Sequence, residues 1–341
     1  MKVALIGHGM VSGTHLAALY DSNMVNLHGI LGSDVARART FGGNHCADAK
    51  VYPGLAELCA DTSLDFAIVT TPPNARKDIV DALVDAGLPI LMEKPVERTL
   101  KAATEIAVRC KTGGVVAGIV FQHRVRESSQ ALKTAIARGD LGELVAAEIR
   151  VPWWRDQGYY DQAGRGTYAR DGGGVVISQA IHTLDLAIWL MGPVATVQAM
   201  MATTALHELE AENWAGGLLR FANGAVATLT ATTSFYPGGQ ESIRVQGTRA
   251  HAHLEGGVLT VSYLDGRVEH LGETASGTGG GADPMAFTHA WHQAIIEDFA
   301  NSIEARRAPL CTVKDGLRVH AVIDAMERSS KLGQTVGVVE I

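Results

Sequence analysis

The first third of the chain alternates between short apolar runs and amphipathic stretches. Continuous apolar runs are typical of strands buried on both faces, and the stretches between them repeat with helical period. This pattern predicts parallel strands covered by helices on both faces. The predicted strands are 2–6, 26–31, 64–71, 89–93 and 115–121, with helices around 78–86 and 99–110.

The pattern changes after Phe121, where polar and apolar residues begin to alternate along the strands. Consecutive strands are joined by turns such as Asn223-Gly224, which favours a largely antiparallel sheet. The strands predicted here are 144–151, 195–201, 214–221, 225–234, 241–247 and 257–264. Helices are predicted at 128–138, 290–306 and 314–332, and a Gly/Ser-rich loop at 276–282.

Size and charge limit the classes of function. A chain of 341 residues is too long for one ordinary core, so we predict two domains, residues 1–121 and 122–341. The net charge of −7 and the lack of basic runs argue against binding nucleic acid. The apolar stretch 175–192 contains a histidine and an aspartate, so it predicts a helix packed on protein rather than one crossing a membrane.

The cysteines indicate a reducing compartment. They are scattered without C-x-x-C spacing, which fits reduced thiols better than a disulfide framework or a zinc site. No signal peptide is visible, because the apolar start is short and runs at once into glycine-rich sequence. We therefore expect a cytoplasmic protein. The four positions are Cys46, Cys59, Cys110 and Cys311.

The chain opens with an apolar strand that runs directly into Gly7-His8-Gly9. A strand followed by Gly-x-Gly is how a dinucleotide-binding unit begins, because glycines permit a tight turn and close approach of the pyrophosphate. A helix starting near Met10 would present free N–H groups to that anion. Ser12 occupies the third glycine position and is small enough for helix–strand packing. The alternative is a simple tight turn.

The end of the second strand bears on the choice of cofactor. An acidic residue for the adenosine ribose of NAD is expected there, but the position holds Gly32. Ser33 and Arg37 follow and suit a 2′-phosphate, so the sequence leans slightly towards NADP over NAD. Asp34 is alternatively a helix N-cap, and Arg37 is alternatively a solvated side chain.

Lys94 follows an apolar run and precedes Pro95, so it is predicted at the end of a strand, where ligands of open α/β sheets bind. Pro95 restricts Lys94 to an extended backbone, which gives its side chain a defined direction. A lysine beside an alcohol and a nicotinamide can orient the hydroxyl or shuttle its proton. The alternative is a surface lysine at a strand end.

A second group of candidates follows three consecutive glycines, Gly172-Gly173-Gly174, which would let the backbone come close to a ligand or a strand. Ser178, His182 and Asp185 have i, i+4, i+7 spacing and share one helix face. An apolar stripe lies beside them and should pack on the core, so the polar stripe need not be buried in that core and can face a cleft. His182 is a candidate base, oriented by Asp185; the alternative is a structural histidine.

Aromatic and basic residues precede these glycines and predict a substrate surface. Aromatic rings stack on sugar faces, and arginine binds hydroxyls, carboxylates or phosphates. Trp154, Arg155 and Tyr160 are the candidates, with core or interface packing as the alternative for the tryptophans. His251-x-His253 and His289-x-x-His292 lack clustered cysteines or carboxylates, so no metal site is predicted.

With these residues in place, the chain closely resembles the Gfo/Idh/MocA oxidoreductases, a family named after glucose–fructose oxidoreductase and inositol dehydrogenase. The resemblance covers essentially the whole chain. It rests on Gly7-x-Gly9 with His15, Thr71-Pro72-Pro73, Glu93-Lys94-Pro95, Phe121-Gln122-x-Arg124, Gly172-Gly173-Gly174, His182-x-x-Asp185 closing on Leu190-x-Gly192, and His292 with Asp298-Phe299.

The resemblance implies an α/β Rossmann domain that binds NAD(P), followed by an α+β domain with a large, open, mostly antiparallel sheet. It implies a homodimer or homotetramer that needs no metal, with Lys94 and His182 as the catalytic pair. The cofactor residues expected from motif and resemblance are Gly7, His8, Gly9, Met10, Val11, Ser12, Ser33, Arg37, Thr71, Pro72, Asn74, Glu93, Lys94 and Gln122. The expected substrate residues are Lys94, Arg124, Trp154, Arg155, Tyr160, Ser178 and His182.

The activity so implied is hydride transfer between the nicotinamide and a secondary alcohol of a sugar, cyclitol or sugar derivative. Ser178 replaces an aspartate of inositol dehydrogenase-like members, which leaves a carboxylate relay in doubt. Pro73 and Arg76 replace an asparagine and a histidine, so nicotinamide-ribose contacts are expected to differ. Two alternatives remain: a dinucleotide-binding sensor without turnover, and an enzyme that uses tightly held cofactor for net non-redox glycoside chemistry.

Overall fold

The computed structural model describes residues 1–45, 49–272 and 287–341. Cys46 and the predicted loop at 276–282 therefore lie outside the described residues. The strands are β1 (Lys2–Ile6), β2 (Asn26–Leu31), β3 (Lys50–Val51), β4 (Phe66–Val69), β5 (Ile90–Met92), β6 (Ala117–Ile119), β7 (Leu144–Pro152), β8 (Val194–Ala202), β9 (Trp214–Phe221), β10 (Val226–Thr232), β11 (Ser242–Gly247), β12 (Ala250–Glu255), β13 (Val258–Tyr263), β14 (Val268–Leu271) and β15 (Val336–Gly337).

The helices complete the inventory for the described part of the chain. They are α1 (Ser12–Asp21), α2 (Val35–His45), α3 (Leu55–Cys59), α4 (Arg76–Asp85), α5 (Leu100–Thr112), α6 (Glu127–Arg138), α7 (Gln157–Tyr160), α8 (Ile181–Met191), α9 (Ala290–Glu304) and α10 (Val313–Leu332). Among these helices of the described residues, none is both long and apolar enough to cross a membrane.

Contacts divide the chain into two compact units. The first consists of Met1–Gln122 with His289–Leu317, and the second of His123–Thr288 with Arg318–Ile341. The division into domains 1–121 and 122–341 stays a prediction. The compact units differ from it in the placement of the segment His289–Leu317.

The first unit contains a parallel sheet with the strand order β3-β2-β1-β4-β5-β6, the order of a Rossmann sheet. Every neighbouring pair in it is parallel, as the apolar runs predicted. The central strand β1 is buried on both faces because four of its five residues are apolar and inaccessible. The carboxyl ends of β1, β4 and β5 consequently lie side by side at one edge of the sheet, which we call the carboxyl edge.

The late segment of the first unit covers this sheet. Phe299 of α9 packs edge to face on Phe66 of β4, with ring centroids 5.3 Å apart. A Cβ atom at Gly118 of β6 would lie 2.9 Å from the Phe299 ring, so a glycine there permits the close approach. Ile119 then donates its backbone N–H to the carbonyl of Cys311 at 3.0 Å. The core of the first unit therefore includes residues from both parts of the sequence.

The second unit contains a sheet with the strand order β14-β13-β12-β11-β7-β10-β9-β8-β15. Its neighbours are antiparallel except for β7 and β10, which pair in parallel with Val226 opposite Ala146. The prediction of a largely antiparallel sheet is confirmed. Helix α8 follows a π-helical turn, Val176–Ala180, and almost all of this segment is buried.

Candidate functional site

The turn after β1 contains two glycines with different surroundings. Gly7 has a φ of +110°, and a Cβ atom there would lie 2.6 Å from Oγ1 of Thr70 and 3.1 Å from the Thr71 nitrogen. Its N–H donates to the carbonyl of Leu31 at 2.8 Å. Gly9 is exposed, and a Cβ atom there would meet nothing within 4 Å. Gly7 therefore shapes the turn, whereas Gly9 leaves open space beside it.

The N-terminus of α1 suits an anion. Val11 is its N-cap residue, no side chain caps it, and its first turn holds no acidic residue. Met10 before it is exposed, whereas Ser12 is buried with its hydroxyl 2.9 Å from Oγ1 of Thr70. The positive end of a helix dipole favours negatively charged groups. The pyrophosphate site at this turn stays a prediction.

The end of β2 has no room for an acidic side chain at Gly32. A Cβ atom there would lie 2.5 Å from Nδ1 of His8, so the imidazole of His8 occupies that space. Ser33, Asp34 and Arg37 are exposed beside it. Oδ1 of Asp34 accepts the backbone N–H of Arg37 at 3.0 Å, which makes Asp34 the N-cap of α2. Arg37 remains accessible for a ligand.

Glu93 at the end of β5 is 5% exposed, and its carboxylate connects three parts of the first unit. Oε1 lies 2.8 Å from Nε2 of His15 on α1 and 3.6 Å from Nε2 of His292 on α9. Oε2 accepts the backbone N–H of Lys94 at 3.1 Å. Burial alone would raise the pKa of Glu93, but the hydrogen bonds from His15 and His292 outweigh it and hold that pKa well below its ordinary value.

This cluster has a ligand set that zinc also uses. His15, Glu93 and His292 each offer one ligand atom, and these atoms lie within 4.8 Å of one another. Two ligand atoms of a tetrahedral zinc ion lie about 3.3 Å apart, given metal–ligand distances near 2.0 Å. The 2.8 Å between His15 and Glu93 is instead a hydrogen-bond distance. The geometry favours a hydrogen-bonded cluster.

Arg76 stands where the resembled family has histidine, and it is one of the largest fully buried side chains. Its guanidinium donates to the backbone carbonyls of Thr71, Glu93 and Pro95. Burial lowers the pKa of Arg76 to about 10, although Glu93 and Glu97 oppose this shift. Arg76 therefore joins the loop after β4 to the segment that carries Lys94.

The helix that carries His182 is held by a buried ion pair. Nε and Nη2 of Arg124 donate to the two carboxylate oxygens of Asp185 at 2.8 and 2.6 Å. Asp185 is fully buried and His182 is 6% exposed. The ion pair lets the helix bury a charged residue. The His182 ring lies 5.1 Å from that of His123.

Glu212 holds the start of this helical segment. Its carboxylate accepts the N–H groups of Gly174 at 3.0 Å and Val176 at 3.1 Å, and its carbonyl accepts that of Val175 at 2.8 Å. A Cβ atom at Gly174 would lie 1.7 Å from the Glu212 carbonyl oxygen. The third glycine thus permits close approach of a neighbouring segment, which was one of its two predicted uses. Burial raises the pKa of Glu212 despite these hydrogen bonds.

Three predicted substrate residues lie in one aromatic cluster of the second unit. Trp154 and Tyr160 both pack against His207, with centroid distances of 5.8 and 4.9 Å. The carbonyl of Arg155 lies 2.8 Å from Nε2 of His207. The Tyr160 hydroxyl lies 2.6 Å from Oγ1 of Thr233, and burial raises its pKa to about 12. Arg155 is 2% exposed, so its burial favours a supporting role.

The remaining predicted residues are distributed over both units. Pro72 and Asn74 are exposed after β4, Gln122 is buried at the end of the first unit, and Ser178 is half-buried in the π-helical turn of the second. Sequence reasoning assigned no role to Glu212 or His207. His15 entered only as part of the resemblance, and His292 entered there and as a metal-ligand motif that was set aside. These residues contact partners that are far away in the sequence, so no local sequence pattern identifies their roles.

The histidine motifs that were considered as metal ligands either pair with carboxylates or lie along a strand. His289 pairs with Asp21 at 2.7 Å and His292 with Glu93. His251 and His253 alternate with buried residues along β12.

The cysteines of the described residues are not in disulfide bonds. They are Cys59, Cys110 and Cys311, and burial raises the pKa of Cys110 to about 11.

Comparisons with known proteins agree with this geometry. Residues 1–121 match the family described as an oxidoreductase family with an NAD-binding Rossmann fold, and residues 129–253 match the GFO/IDH/MocA C-terminal domain. Fold and sequence together define an oxidoreductase with an NAD-binding unit. The chain belongs to the Gfo/Idh/MocA family, as the motifs indicated.

Relatives and solved structures span the whole chain. D-apiose dehydrogenase of Rhizobium rhizogenes is 24% identical, covering 99% of this chain and 97% of its own. A crystal structure of the WlbA dehydrogenase from Bordetella pertussis with NADH and UDP-GlcNAcA has a TM-score of 0.84 at 24% identity, over 100% and 99% of the two chains. Levoglucosan dehydrogenase with NADH and levoglucosan has a TM-score of 0.86 at 19% identity, over 100% of both chains. These similarities establish the fold.

Proposed function

We propose that this chain transfers a hydride between NAD(P) and a secondary alcohol carbon of a sugar, cyclitol or sugar derivative. The observation that carries the proposal is the carboxyl edge of the first unit: an open glycine and an uncapped helix N-terminus follow β1, and Glu93-Lys94 follows β5, two strands along the same edge. Sugar chemistry is supported by relatives named for D-apiose and levoglucosan.

In this proposal Gly7, Gly9 and the N-terminus of α1 bind the pyrophosphate, and residues after β4 contact the nicotinamide side. When bound, the nicotinamide exchanges a hydride with the alcohol carbon. Lys94 polarises the substrate oxygen through its ammonium group, and His182 takes the hydroxyl proton. Positioned groups that move a proton in this way contribute about 10²–10⁴-fold to rate.

We further propose a preference for NADP. Gly32 offers no carboxylate to the ribose hydroxyls, and the exposed Ser33 and Arg37 suit a phosphate. Arg37→Gln should weaken NADPH binding about tenfold, because one charge-assisted contact is lost, and should leave NADH binding unchanged. Arg39→Gln, an exposed arginine on the same helix, is the matched control. Equal affinity of the parent protein for the two cofactors would contradict the preference.

We also propose that the chain forms a cytoplasmic homodimer or homotetramer through the open sheet of the second unit. Met200, Leu218 and Val226 are exposed to 65%, 58% and 44% on one face of three adjacent strands. Apolar patches of this kind often mark interfaces. Light scattering of the protein, and of a Leu218→Glu variant, measures the assembly. A monomer at micromolar concentration would refute it.

The function is tested by titration with NADPH and NADH, followed by absorbance of the reduced nicotinamide across a panel of sugars, inositols and their keto forms. Turnover of one compound with stoichiometric ketone identifies the dehydrogenase. Lys94→Met should lose turnover even at cofactor concentrations that saturate it, whereas Lys101→Met, a change at an exposed lysine of the same unit, should keep turnover. Cofactor binding without turnover of any compound would favour a sensor, and turnover without net redox change would favour glycoside chemistry.

A further inference from the structure

The segment between β7 and α8 places two arginines against one tyrosine ring. The guanidinium carbon of Arg165 lies 4.9 Å from the ring centroid of Tyr159, and that of Arg155 lies 5.6 Å from it. The loop around Arg165 is closed by a hydrogen bond, in which the N–H of Gly166 donates to Oδ2 of Asp171 at 2.9 Å. The contact with the ring and the closed loop together hold the Arg165 side chain in place.

The hydrogen-bonding capacity of Arg165 is not used up by this loop. Its Nη1 lies 3.9 Å from Oδ2 of Asp171, which is beyond hydrogen-bond distance, whereas Arg170 lies 3.3 Å from the other oxygen of that carboxylate. Nε of Arg165 is buried and has no hydrogen-bond partner among the described residues. The side chain is 19% exposed, so a ligand can reach it. Arginine binds carboxylate and phosphate oxygens through paired N–H groups, so Arg165 suits an anion.

Gln179 adds an acceptor beside the same tyrosine. Its Nε2 donates to the Tyr159 hydroxyl at 3.1 Å, so the hydroxyl can donate its own proton to a further group. Gln179 is 5% exposed, and its Oε1 is buried without a hydrogen-bond partner in the part of the chain that the structure describes. A buried acceptor left in this way is costly unless a ligand or water satisfies it. Gln179 also lies in the π-helical turn Val176–Ala180, and such turns are frequent at functional sites.

We propose that Arg165, Tyr159 and Gln179 form a subsite for an anionic group of the sugar substrate, either a carboxylate or a phosphate ester. Arg165 and the Tyr159 hydroxyl donate to the oxygens of the anion, and Oε1 of Gln179 accepts a neighbouring sugar hydroxyl. The subsite rests on the sugar oxidation proposed above and narrows it to acidic sugars. Gln179 lies three residues before His182, about one helical turn, so a sugar bound here is close to the proposed base.

The test measures binding and needs no turnover. Saturation-transfer NMR titrations of the full-length protein, with and without NADPH, compare three anionic sugars with neutral counterparts. The anionic sugars are D-glucuronate, D-galacturonate and D-glucose 6-phosphate, and the neutral ones are the two uronamides and D-glucose. At least one anionic sugar should bind about tenfold more tightly than its counterpart, and its identity distinguishes a carboxylate from a phosphate. Equal affinities within every pair, or no binding of any anionic sugar, overturn the proposal.

Variants assign the preference to the subsite. Arg165→Gln should weaken the anionic sugar about tenfold and leave its neutral counterpart unchanged. The matched control is Arg267→Gln, because Arg267 also stacks on a tyrosine of the same unit, Tyr263, but its Nε donates to Asp265 at 2.9 Å. This control should change neither affinity. A preference that persists in folded Arg165→Gln overturns the proposal.

A second variant covers the possibility that Arg165→Gln folds poorly. Tyr159→Phe keeps the ring under the guanidinium and removes only the hydroxyl, so affinity for the anionic sugar should fall about threefold. Unchanged affinity in this variant also overturns the proposal.

Failure of the subsite differs from failure of the proposed function. Turnover of a neutral sugar without preference for anionic ones refutes the subsite and leaves the dehydrogenase standing. Preferential binding of an anionic sugar, with no turnover of any compound, supports the subsite and counts against the dehydrogenase.

Discussion

Replacing the glycines after β1 by alanine, one at a time, separates a residue that shapes the turn from one that makes room for a ligand. At Gly7 the new Cβ atom would lie 2.6 Å from Oγ1 of Thr70 and 3.1 Å from backbone atoms that cannot retreat, at a φ of +110°. Backbone strain of this kind costs about 1–3 kcal/mol, and overpacking adds about 1–3 kcal/mol. Gly7→Ala should therefore lower the free energy of unfolding by about 2–6 kcal/mol.

Gly9→Ala should behave in the opposite way. No atom lies within 4 Å of the new methyl group and the backbone is not in the left-handed region, so the free energy of unfolding should change by less than about 0.5 kcal/mol. The methyl group instead fills the space needed for close approach of a pyrophosphate. Cofactor affinity should fall about ten- to a hundredfold, equivalent to about 1.4–2.7 kcal/mol.

Urea unfolding and fluorescence titration with NADPH measure the two effects on the same samples. Gly337→Ala is the matched control, because its Cβ atom also meets nothing within 4 Å and the residue lies in the second unit. Alanine there should change the free energy of unfolding by less than about 0.5 kcal/mol and leave cofactor affinity unchanged. A stable Gly9→Ala protein that binds NADPH as tightly as the parent would refute the pyrophosphate site at this turn. Unchanged stability of Gly7→Ala would refute the steric reasoning.

Three further predictions concern the second unit. Removing one partner of the buried pair, as in Arg124→Met, should lower the free energy of unfolding by about 3–5 kcal/mol, and adding Asp185→Leu should recover part of it in urea unfolding. Gly174→Ala, whose Cβ would overlap the Glu212 carbonyl, should destabilise by at least about 3 kcal/mol and lower the thermal midpoint. Burial, with nearby acids, raises the pKa of Glu327 to about 7. The folded state then binds a proton that the unfolded state has released, so this group's contribution to stability falls as the pH rises from about 4.5 to 7. Glu327→Gln should therefore stabilise the protein by about 1–2 kcal/mol at pH 8 and change little at pH 4, and equal effects at the two pH values would contradict this.

Local patterns predicted most of the strands. β1, β2 and β9 begin and end at the predicted residues, because each is an apolar or alternating run with a glycine or an asparagine directly at one end. β3 has two residues and gives no periodic signal. β12 was missed because its histidines were considered as ligands, although their alternation with buried residues is that of a strand.

The same distinction, between features with a local sequence signal and features without one, applies to the residues of the candidate site. The glycines and Lys94 were identified because short motifs carry their chemistry. The pairing of Arg124 with Asp185 joins residues 61 positions apart, and that of Glu93 with His15 joins residues 78 apart. No periodicity specifies such partners, so a sequence can nominate the charged residues without saying which of them neutralise one another.

The late segment of the first unit has a consequence for biosynthesis. The segment His289–Leu317 supplies Phe299 against Phe66 and His292 against Glu93, so a ribosome that has finished residue 122 has not yet made these parts. At about 5–20 residues per second, α9 follows roughly ten to thirty seconds later. Until then the nascent first unit has an apolar surface over β4, and Glu93 has His15 but not His292 as a partner. A fragment ending at residue 122 would leave that surface permanently exposed, and we expect chaperones to bind it.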